Sequence, residues 1–140
     1  MKAFLAYRHT GESLKNLEHL LGDVRDALAV SGIDAYCTFF DEAEFQNKSL
    51  NARQIMEHAF EMIDTRDLLF VIQTSENKSE GMLMEVGYCV AKSIPIVVAV
   101  RSDVRHTYLP EMGDIVISWK DIDDLHKQIK NTDFSVLTKS

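Results

Sequence analysis

The sequence predicts an α/β fold, a three-layer sandwich around a five-stranded, mainly parallel, doubly wound sheet of the Rossmann or flavodoxin type. Two observations carry this prediction. The runs Leu68–Ser75 and Ile94–Val100 are almost continuously apolar or uncharged, as strands buried on both faces are. Segments with apolar residues at helical spacing alternate with the strand-like runs, and the connections are long enough for right-handed parallel crossovers.

The first part of the chain predicts a strand, a helix and a second strand. Ala3–Tyr7 is a short apolar run. Leucine and valine residues then recur at three- and four-residue steps, which predicts an amphipathic helix over about residues 12–30, stopped by Gly32. Ile33–Phe40 contains aromatic and β-branched residues and is therefore predicted to be a strand.

A charged loop and a second long helix come next. The loop carries three acids, Asp41, Glu42 and Glu44. Such a charge run is usually a solvated loop, although its position after a strand would also let it reach a pocket. Isoleucine, methionine and alanine at helical spacing predict a helix over about residues 49–64, with Ser49 as its N-cap.

The remaining elements complete the alternation of strands and helices. Asp67 opens the third strand, and Ser79 is predicted to cap a helix that runs to about Lys92. After the fourth strand and a longer polar loop, Ile115–Trp119 predicts the fifth strand, and a final helix ends near residue 131.

Composition bounds the class of protein. A chain of 140 residues with 46% hydrophobic residues is an ordinary globular protein, which we predict to be a single domain over residues 1–131 with a loose C-terminal tail over 132–140. A net charge of −7 argues against nucleic acid as a partner. No run approaches the roughly 20 apolar residues of a membrane span, and the first residues lack a signal-peptide core. We therefore expect no membrane contact and a cytoplasmic location.

The residues with metal-binding side chains do not form a recognisable site. Cys37 and Cys89 lie inside predicted core elements without metal-ligand spacing, which favours buried free thiols. The five histidines have no carboxylate or cysteine partners at ligand spacing. We therefore expect no metal.

Glu85 is the main candidate for chemistry. It lies six residues after Ser79, close to the apolar stripe that faces the sheet, which consists of Met82, Val86, Cys89 and Val90. Open parallel sheets bind ligands at the carboxyl ends of their strands, beside helix N-termini. Glu85 is therefore either a boundary residue of its helix or a partly desolvated carboxylate available as a nucleophile or acid–base group.

The start of the same helix offers groups that bind anions. Ser79 would cap the helix and Gly81 would permit a tight turn at its start. The same arrangement presents free N–H groups, a hydroxyl and the positive end of the helix dipole to a phosphate or hydroxyl group. Arg8, after the first strand, is a local phosphate partner in spite of the negative net charge. Neither GxxxxGK nor GxGxxG occurs.

These residues carry a resemblance to a known family. The motif Ser-x-Gly-x-x-x-Glu-x-Gly is formed by Ser79, Gly81, Glu85 and Gly87. With the Ala-Lys-x-x-Pro segment at Ala91–Ile96 and the strand that opens at Asp67, it resembles the nucleoside 2-deoxyribosyltransferase family. The resemblance implies cleavage or transfer at the N-glycosidic bond of a nucleoside or its 5′-monophosphate, without a cofactor. Glu85 would attack C1′ of the sugar and form a glycosyl-enzyme that water or a second base resolves.

The resemblance also implies residues that bind the substrate. The family's 5′-monophosphate N-hydrolases place a phosphate-binding serine at the position of Ser79, whereas its nucleoside transferases tend to place an aspartate there, which would repel phosphate. In the family, the loop after the first strand wraps the base and the 5′ group, and here it offers Tyr7, Arg8, His9 and Thr10. The implied substrate-binding residues are Phe4, Tyr7, Arg8, His9, Asp67, Ser79 and Gly81.

Two positions depart from the family pattern. The first-strand tyrosine that helps to orient the nucleophile is Phe4 here, unless Tyr7 substitutes for it. The aspartate that would handle a proton on the leaving base falls at Ala59, and without it base departure would lose general-acid help of about 10²- to 10⁴-fold. Acids one helical turn away could compensate: Glu57, Glu61 or Asp64. A nucleotide-binding protein without catalysis is therefore one alternative.

A second alternative is a Toll/interleukin-receptor (TIR) domain, used in signalling or in NAD cleavage. The opening FLAYRHTGES resembles the start of such domains, and those that cleave NAD use a glutamate in the matching helix. The aromatic-Cys pair that usually precedes that glutamate is absent, since Gly81, Met82, Leu83 and Met84 stand there.

The family resemblance implies a homodimer or a higher homo-oligomer. In the family, a loop of a neighbouring subunit completes the site. By position that loop is Arg101–Gly113, and its residues that could bind phosphate or base in trans are Arg105, His106, Thr107 and Tyr108.

Overall fold

A computed structural model describes residues 1–9 and 11–137, apart from the side chains of residues 42 and 43. Its centre is a five-stranded sheet in the order β2-β1-β3-β4-β5, and every neighbouring pair of strands is parallel. This is the flavodoxin-like order of doubly wound sheets. The strands are β1 (Lys2–Ala6), β2 (Asp34–Tyr36), β3 (Leu68–Gln73), β4 (Ile96–Arg101) and β5 (Ile115–Trp119).

Helices cover both faces of the sheet, which confirms the predicted three-layer α/β fold. The helices are α1 (Leu14–Val30), α2 (Glu42–Asn47), α3 (Ala52–Asp64), α4 (Glu80–Lys92) and α5 (Ile122–Asn131). Apolar residues of α1 and α5 form one core cluster with the sheet, and those of α3 and α4 form the other. All six residues of β3, the central strand, are buried, as its apolar sequence requires. Cys37 and Cys89 are buried free thiols, as expected.

Helix starts follow from capping side chains. Ser79 caps α4 as predicted, and its Oγ accepts a hydrogen bond from the backbone N–H of Met82 at 3.2 Å. The prediction for α3 was wrong: its N-cap is Asn51 rather than Ser49. Asn51 and Gln54 exchange side-chain-to-backbone hydrogen bonds of 2.9 Å in both directions, a capping box that satisfies two N–H groups at once.

The predicted second strand is much shorter in the structure. Pairing with β1 covers only Asp34–Tyr36, and the chain then turns into a 3₁₀ helix, Thr38–Asp41, and α2. The hydroxyl of Tyr36 donates a hydrogen bond to Asp41 across this turn, and the rings of Phe39 and Phe40 pack edge to face, 5.5 Å apart. The acids expected in a loop, Asp41, Glu42 and Glu44, therefore belong to helical turns.

The end of the chain packs on the core beyond the expected boundary. Phe134 is only 5% exposed, and its ring lies 6.5 Å from that of Phe70. A 3₁₀ helix spans Phe134–Leu137, so the loose tail predicted from residue 132 does not describe this segment, and residues 138–140 lie outside the described part. Within the described ranges, no helix has the length and apolar character needed to cross a membrane.

Candidate active site

The carboxyl ends of β3 and β4 open into a cavity of about 560 Å³. Its walls are the segment that follows β3, the start of α4, part of the loop between β4 and β5, and Arg8 after β1. This is the edge at which open parallel sheets bind ligands. The lining residues are Arg8, residues 73–79, Met82, Leu83, residues 105–109 and Glu111.

Ser79 stands at this cavity because it caps α4. Its oxygen accepts the N–H of Met82, and its own hydroxyl proton is still available to donate to a ligand. The positive end of the α4 dipole lies at the same place. The predicted capping serine is therefore confirmed, and it stands at the cavity.

Arg8 reaches the cavity through the shape of the loop after β1. A Cβ atom on Gly11 would come within 3.1 Å of Nη2 of Arg8, so the guanidinium lies against a residue without a side chain. Gly11 has φ +81°, a conformation that glycine adopts without strain. No described residue forms an ion pair or hydrogen bond with Arg8, and its Nε is buried without a partner. Its positive charge is therefore available to a ligand.

Cationic side chains are concentrated around this cavity in a chain whose net charge is −7. Arg8, Lys78 and Arg105 line it together with His106, against the two acids Glu76 and Glu111. A cavity wall of this kind attracts small anions in spite of the charge of the whole protein.

Three side-chain hydrogen bonds hold the loop between β4 and β5 over the cavity. Oε1 of Glu76 accepts hydrogen bonds from the backbone N–H groups of Arg105 at 2.9 Å and His106 at 3.3 Å, which hold the pKa of Glu76 below its usual value. Nε2 of Gln73 donates to Oγ1 of Thr107 at 2.9 Å. The residues expected to act in trans, Arg105 to Tyr108, therefore line the cavity of their own chain.

Gln73 and Glu76 were missed by the sequence analysis. Gln73 is 7% exposed at the end of an otherwise apolar strand, and its Oε1 is buried without a partner among the described residues. A lone amide that ends a buried strand was the available signal, because burying a polar group without a hydrogen bond costs free energy. Glu76 carried no comparable signal, since an acid in a polar loop is usually solvated.

Glu85 lies in a different environment, on the sheet-facing side of α4. It is 9% exposed among apolar side chains that include Met82, Val86 and Cys89, and it makes no hydrogen bond or ion pair with a described residue. Burial raises the pKa of Glu85 from 4.5 to about 8. Glu85 is not a lining residue of the cavity, and it stands about 9 Å along the helix axis from Ser79.

The other predicted binding residues do not line the cavity. Phe4 is buried, with its ring 5.8 Å from that of Tyr36. Tyr7 is partly buried, and its ring lies 6.3 Å from that of His9, which is exposed. Gly81 faces Met56, with room for a Cβ at 3.8 Å from the sulfur. Thr10 lies outside the described residues.

Asp67 is at the wrong edge of the sheet for the predicted role. It precedes β3, whereas the cavity lies after β3, about 20 Å away along a strand of six residues. Its Oδ2 accepts a hydrogen bond from the backbone N–H of Lys2 at 2.7 Å, and its own N–H donates to the carbonyl of Lys2. Asp67 therefore fastens β1 to β3 and does not touch a ligand in this cavity.

Ala59 is buried in α3, and the residue before it is part of a polar network. Nε2 of His58 lies 3.0 Å from the hydroxyl of Tyr36, which also donates to Asp41. Burial and the hydrogen bond to Asp41 raise the pKa of Tyr36. The three acids considered as substitutes for Ala59 are all exposed: Glu57, Glu61 and Asp64.

No group of three or more His, Cys, Asp or Glu side chains within residues 1–9 and 11–137 is arranged to hold a metal ion. The donors that the cavity offers are instead guanidinium, ammonium, hydroxyl and backbone N–H groups. Such donors bind oxyanions.

Solved structures that share this fold include three from bacteria. They are a CMP N-glycosidase, BcmB, of Clostridium botulinum (16% identity, TM-score 0.68), a conserved protein of Enterococcus faecalis V583 (19%, 0.60) and a 2-deoxyribosyltransferase of Bacillus psychrosaccharolyticus (18%, 0.66). The alignments cover 94%, 94% and 98% of this chain and 98%, 98% and 96% of the others.

Sequence comparison gives the family. No curated protein sequence matches the chain. The family model described as nucleoside 2-deoxyribosyltransferase matches residues 11–136, which is most of the chain and includes Ser79 and Glu85. The chain therefore belongs to the nucleoside 2-deoxyribosyltransferase family.

Proposed function

We propose that the protein cleaves the N-glycosidic bond of a nucleoside 5′-monophosphate through a covalent glycosyl intermediate on Glu85. The observation that carries this proposal is the pairing of two environments on α4: a cation-lined cavity at Ser79 and a desolvated carboxylate at Glu85. The family membership and the fold shared with a CMP N-glycosidase support it.

In this mechanism the ionised carboxylate of Glu85 attacks C1′ of the sugar. The C1′–N bond breaks, its electron pair leaves with the base, and the base takes up a proton from water, since Ala59 cannot supply one. Water or a second base then attacks C1′, and the ester to Glu85 breaks to free the carboxylate. With a pKa of about 8, about one tenth of Glu85 is ionised at pH 7. That fraction is poorly solvated, and it is stabilised by the positive charge that develops on the sugar.

Ser79 and Arg8 supply the contacts to the phosphate. The hydroxyl of Ser79 would donate to it at the α4 N-terminus, and the guanidinium of Arg8, which no described residue pairs with, would supply charge and planar donors. An aspartate at position 79 would also cap the helix, but it would repel phosphate. This makes position 79 a direct test of the substrate class.

The test is base release from CMP, dCMP, AMP, dAMP and the corresponding nucleosides, with and without a second base as acceptor, followed by chromatography. We expect Ser79→Asp to lower kcat/KM for monophosphates by at least about tenfold relative to the nucleosides. Ser13→Asp is the matched control, because Ser13 caps α1 in the same way outside the cavity. If the wild-type protein releases no base from any of these compounds, the proposal is wrong.

Non-catalytic nucleotide binding is the second candidate, and the apolar residues at positions 4 and 59 favour it. It predicts that monophosphates raise the melting temperature while no base is released. NAD belongs in the same panel. Release of nicotinamide from NAD, without release of base from the nucleotides, would favour the TIR-like alternative instead.

We also propose a homo-oligomer, formed through α4, in the cytoplasm. Three apolar side chains of α4 are exposed: Leu83 at 43%, Met84 at 48% and Val90 at 52%. Exposed apolar residues grouped on one helix favour association. Sedimentation should give a mass above that of one chain for the wild type and a smaller mass for Val90→Lys. Val30→Lys, at an exposed position at the end of α1, should behave as wild type. A monomeric wild type would contradict the proposal.

A further inference from the structure

The backbone N–H groups of Arg105 and His106 meet at one oxygen atom. Both donate to Oε1 of Glu76, at 2.9 Å and 3.3 Å. Successive N–H groups that point at one acceptor form a concave anion site of the kind that binds phosphate oxygens. Here a carboxylate of the chain itself occupies that site.

The surroundings of this oxygen suit a more highly charged anion than a carboxylate. Lys78 and Arg105 line the same cavity, and no described lysine or arginine forms an ion pair with Glu76. The side chain of Glu76 is exposed, so it can turn into solvent without opening the core. A phosphate carries up to two charges and three strong acceptor oxygens, against one charge and two oxygens for Glu76.

We propose that the two N–H groups of Arg105 and His106 bind a phosphate oxygen of the nucleotide, and that Glu76 holds this place until the phosphate displaces it. The inference rests on the proposed function in one respect, that the ligand carries a phosphate. Glu76 then acts as an internal competitor that weakens the binding of anions. Neutral nucleosides, which do not need these N–H groups, are unaffected by the competition.

The loop does not have to open when Glu76 leaves. Thr107 accepts hydrogen bonds from Nε2 of Gln73 at 2.9 Å and from the N–H of Leu109 at 3.2 Å. Because Gln73 is fixed in the buried end of β3, this contact keeps residues 105–109 over the cavity. The phosphate therefore meets two N–H groups whose positions are already set, which limits the entropy lost on binding.

Glu76→Gln separates competition from a merely structural role. Glutamine keeps a carbonyl oxygen that can hold the loop, but the hydrogen bonds to it are weaker because the charge is gone. We expect the affinity for inorganic phosphate and for a nucleoside 5′-monophosphate to rise about tenfold, with less than about twofold change for the nucleoside. Amide NMR signals of Arg105 and His106 should shift most when phosphate is added.

Glu111→Gln is the matched control, since Glu111 lines the same cavity but bonds to neither N–H group. It should change phosphate affinity by less than about twofold. An equal gain in both variants, weaker phosphate binding by Glu76→Gln, or unshifted signals of Arg105 and His106 would each overturn the inference. Because inorganic phosphate serves as a probe, these results test the inference even if no nucleotide is cleaved. If the protein releases base but Glu76→Gln binds phosphate no more tightly than wild type, the inference is wrong while the proposed function stands.

Discussion

The start of α4 places two candidate site residues in opposite surroundings. Ser79 stands at a polar cavity with cationic walls, whereas Glu85, about 9 Å further along the axis, lies among apolar side chains and bonds to nothing described. The difference separates two tasks. In the proposed function, charge and hydrogen-bond donors at the cavity hold the ligand, and the lack of both at Glu85 makes its carboxylate reactive. A substitution at one residue should therefore impair its own task, ligand binding or reactivity, and leave the other intact.

The largest expected effect is the loss of turnover when Glu85 becomes Gln. An amide cannot attack C1′, so kcat should fall by about 10⁴-fold or more while nucleotide affinity changes little. Base release under single-turnover conditions measures this. Glu80→Gln, an exposed acid in the first turn of the same helix, is the control and should stay near wild type. Equal losses in both variants would argue against a special role for Glu85.

The second prediction concerns the exclusion of water from the carboxyl group of Glu85. The folded protein holds the Glu85 proton up to about pH 8, but the unfolded chain releases it near pH 4.5, so stability from this group is complete below pH 4.5 and is lost as the pH rises to 8. The free energy of unfolding of wild type minus that of Glu85→Gln should fall by roughly 1.4 kcal/mol per pH unit across this window. Urea titrations from pH 5 to pH 8 measure it, and a flat difference would mean that water reaches the carboxylate.

The third and smallest prediction concerns the cavity alone. Arg8→Met removes a guanidinium that no described residue pairs with, so the dissociation constant of a monophosphate should rise about tenfold while that of the nucleoside stays within about twofold. Calorimetry measures both. Arg53→Met is the control, since it removes the same charge from an exposed site on α3 outside the cavity, and it should have no effect. Equal weakening for both ligands would show that Arg8 does not recognise phosphate.

Most of the fold could be predicted because strands buried on both faces and amphipathic helices leave periodic patterns. β5 and the end of α5 lie where the sequence placed them. The second strand failed because its length depends on pairing with β1, which is tertiary information. The N-cap of α3 was predictable, since Asn51 with Gln54 three residues later is the signature of a capping box.

The candidate site was only partly predictable. Ser79 and Glu85 came from one helix, where spacing fixes the geometry. Asp67 was misplaced because a strand has two ends, and the family pattern marked the strand without saying which end faces the ligand. The hydrogen bond between Glu76 and the N–H of Arg105 joins residues 29 positions apart in the sequence, and no local pattern encodes such a contact.

The cap at Ser79 has a consequence for how the family can change its substrates. The residue that caps the N-terminus of α4 must accept the N–H of Met82, and Ser, Asp and Asn do so almost equally well. Replacing Ser or Asn by Asp alters the charge at the cavity by a full unit, yet leaves the helix about equally stable. If position 79 contacts the phosphate as proposed, one substitution there would change the preference between phosphorylated and neutral substrates without compensating mutations elsewhere in the fold.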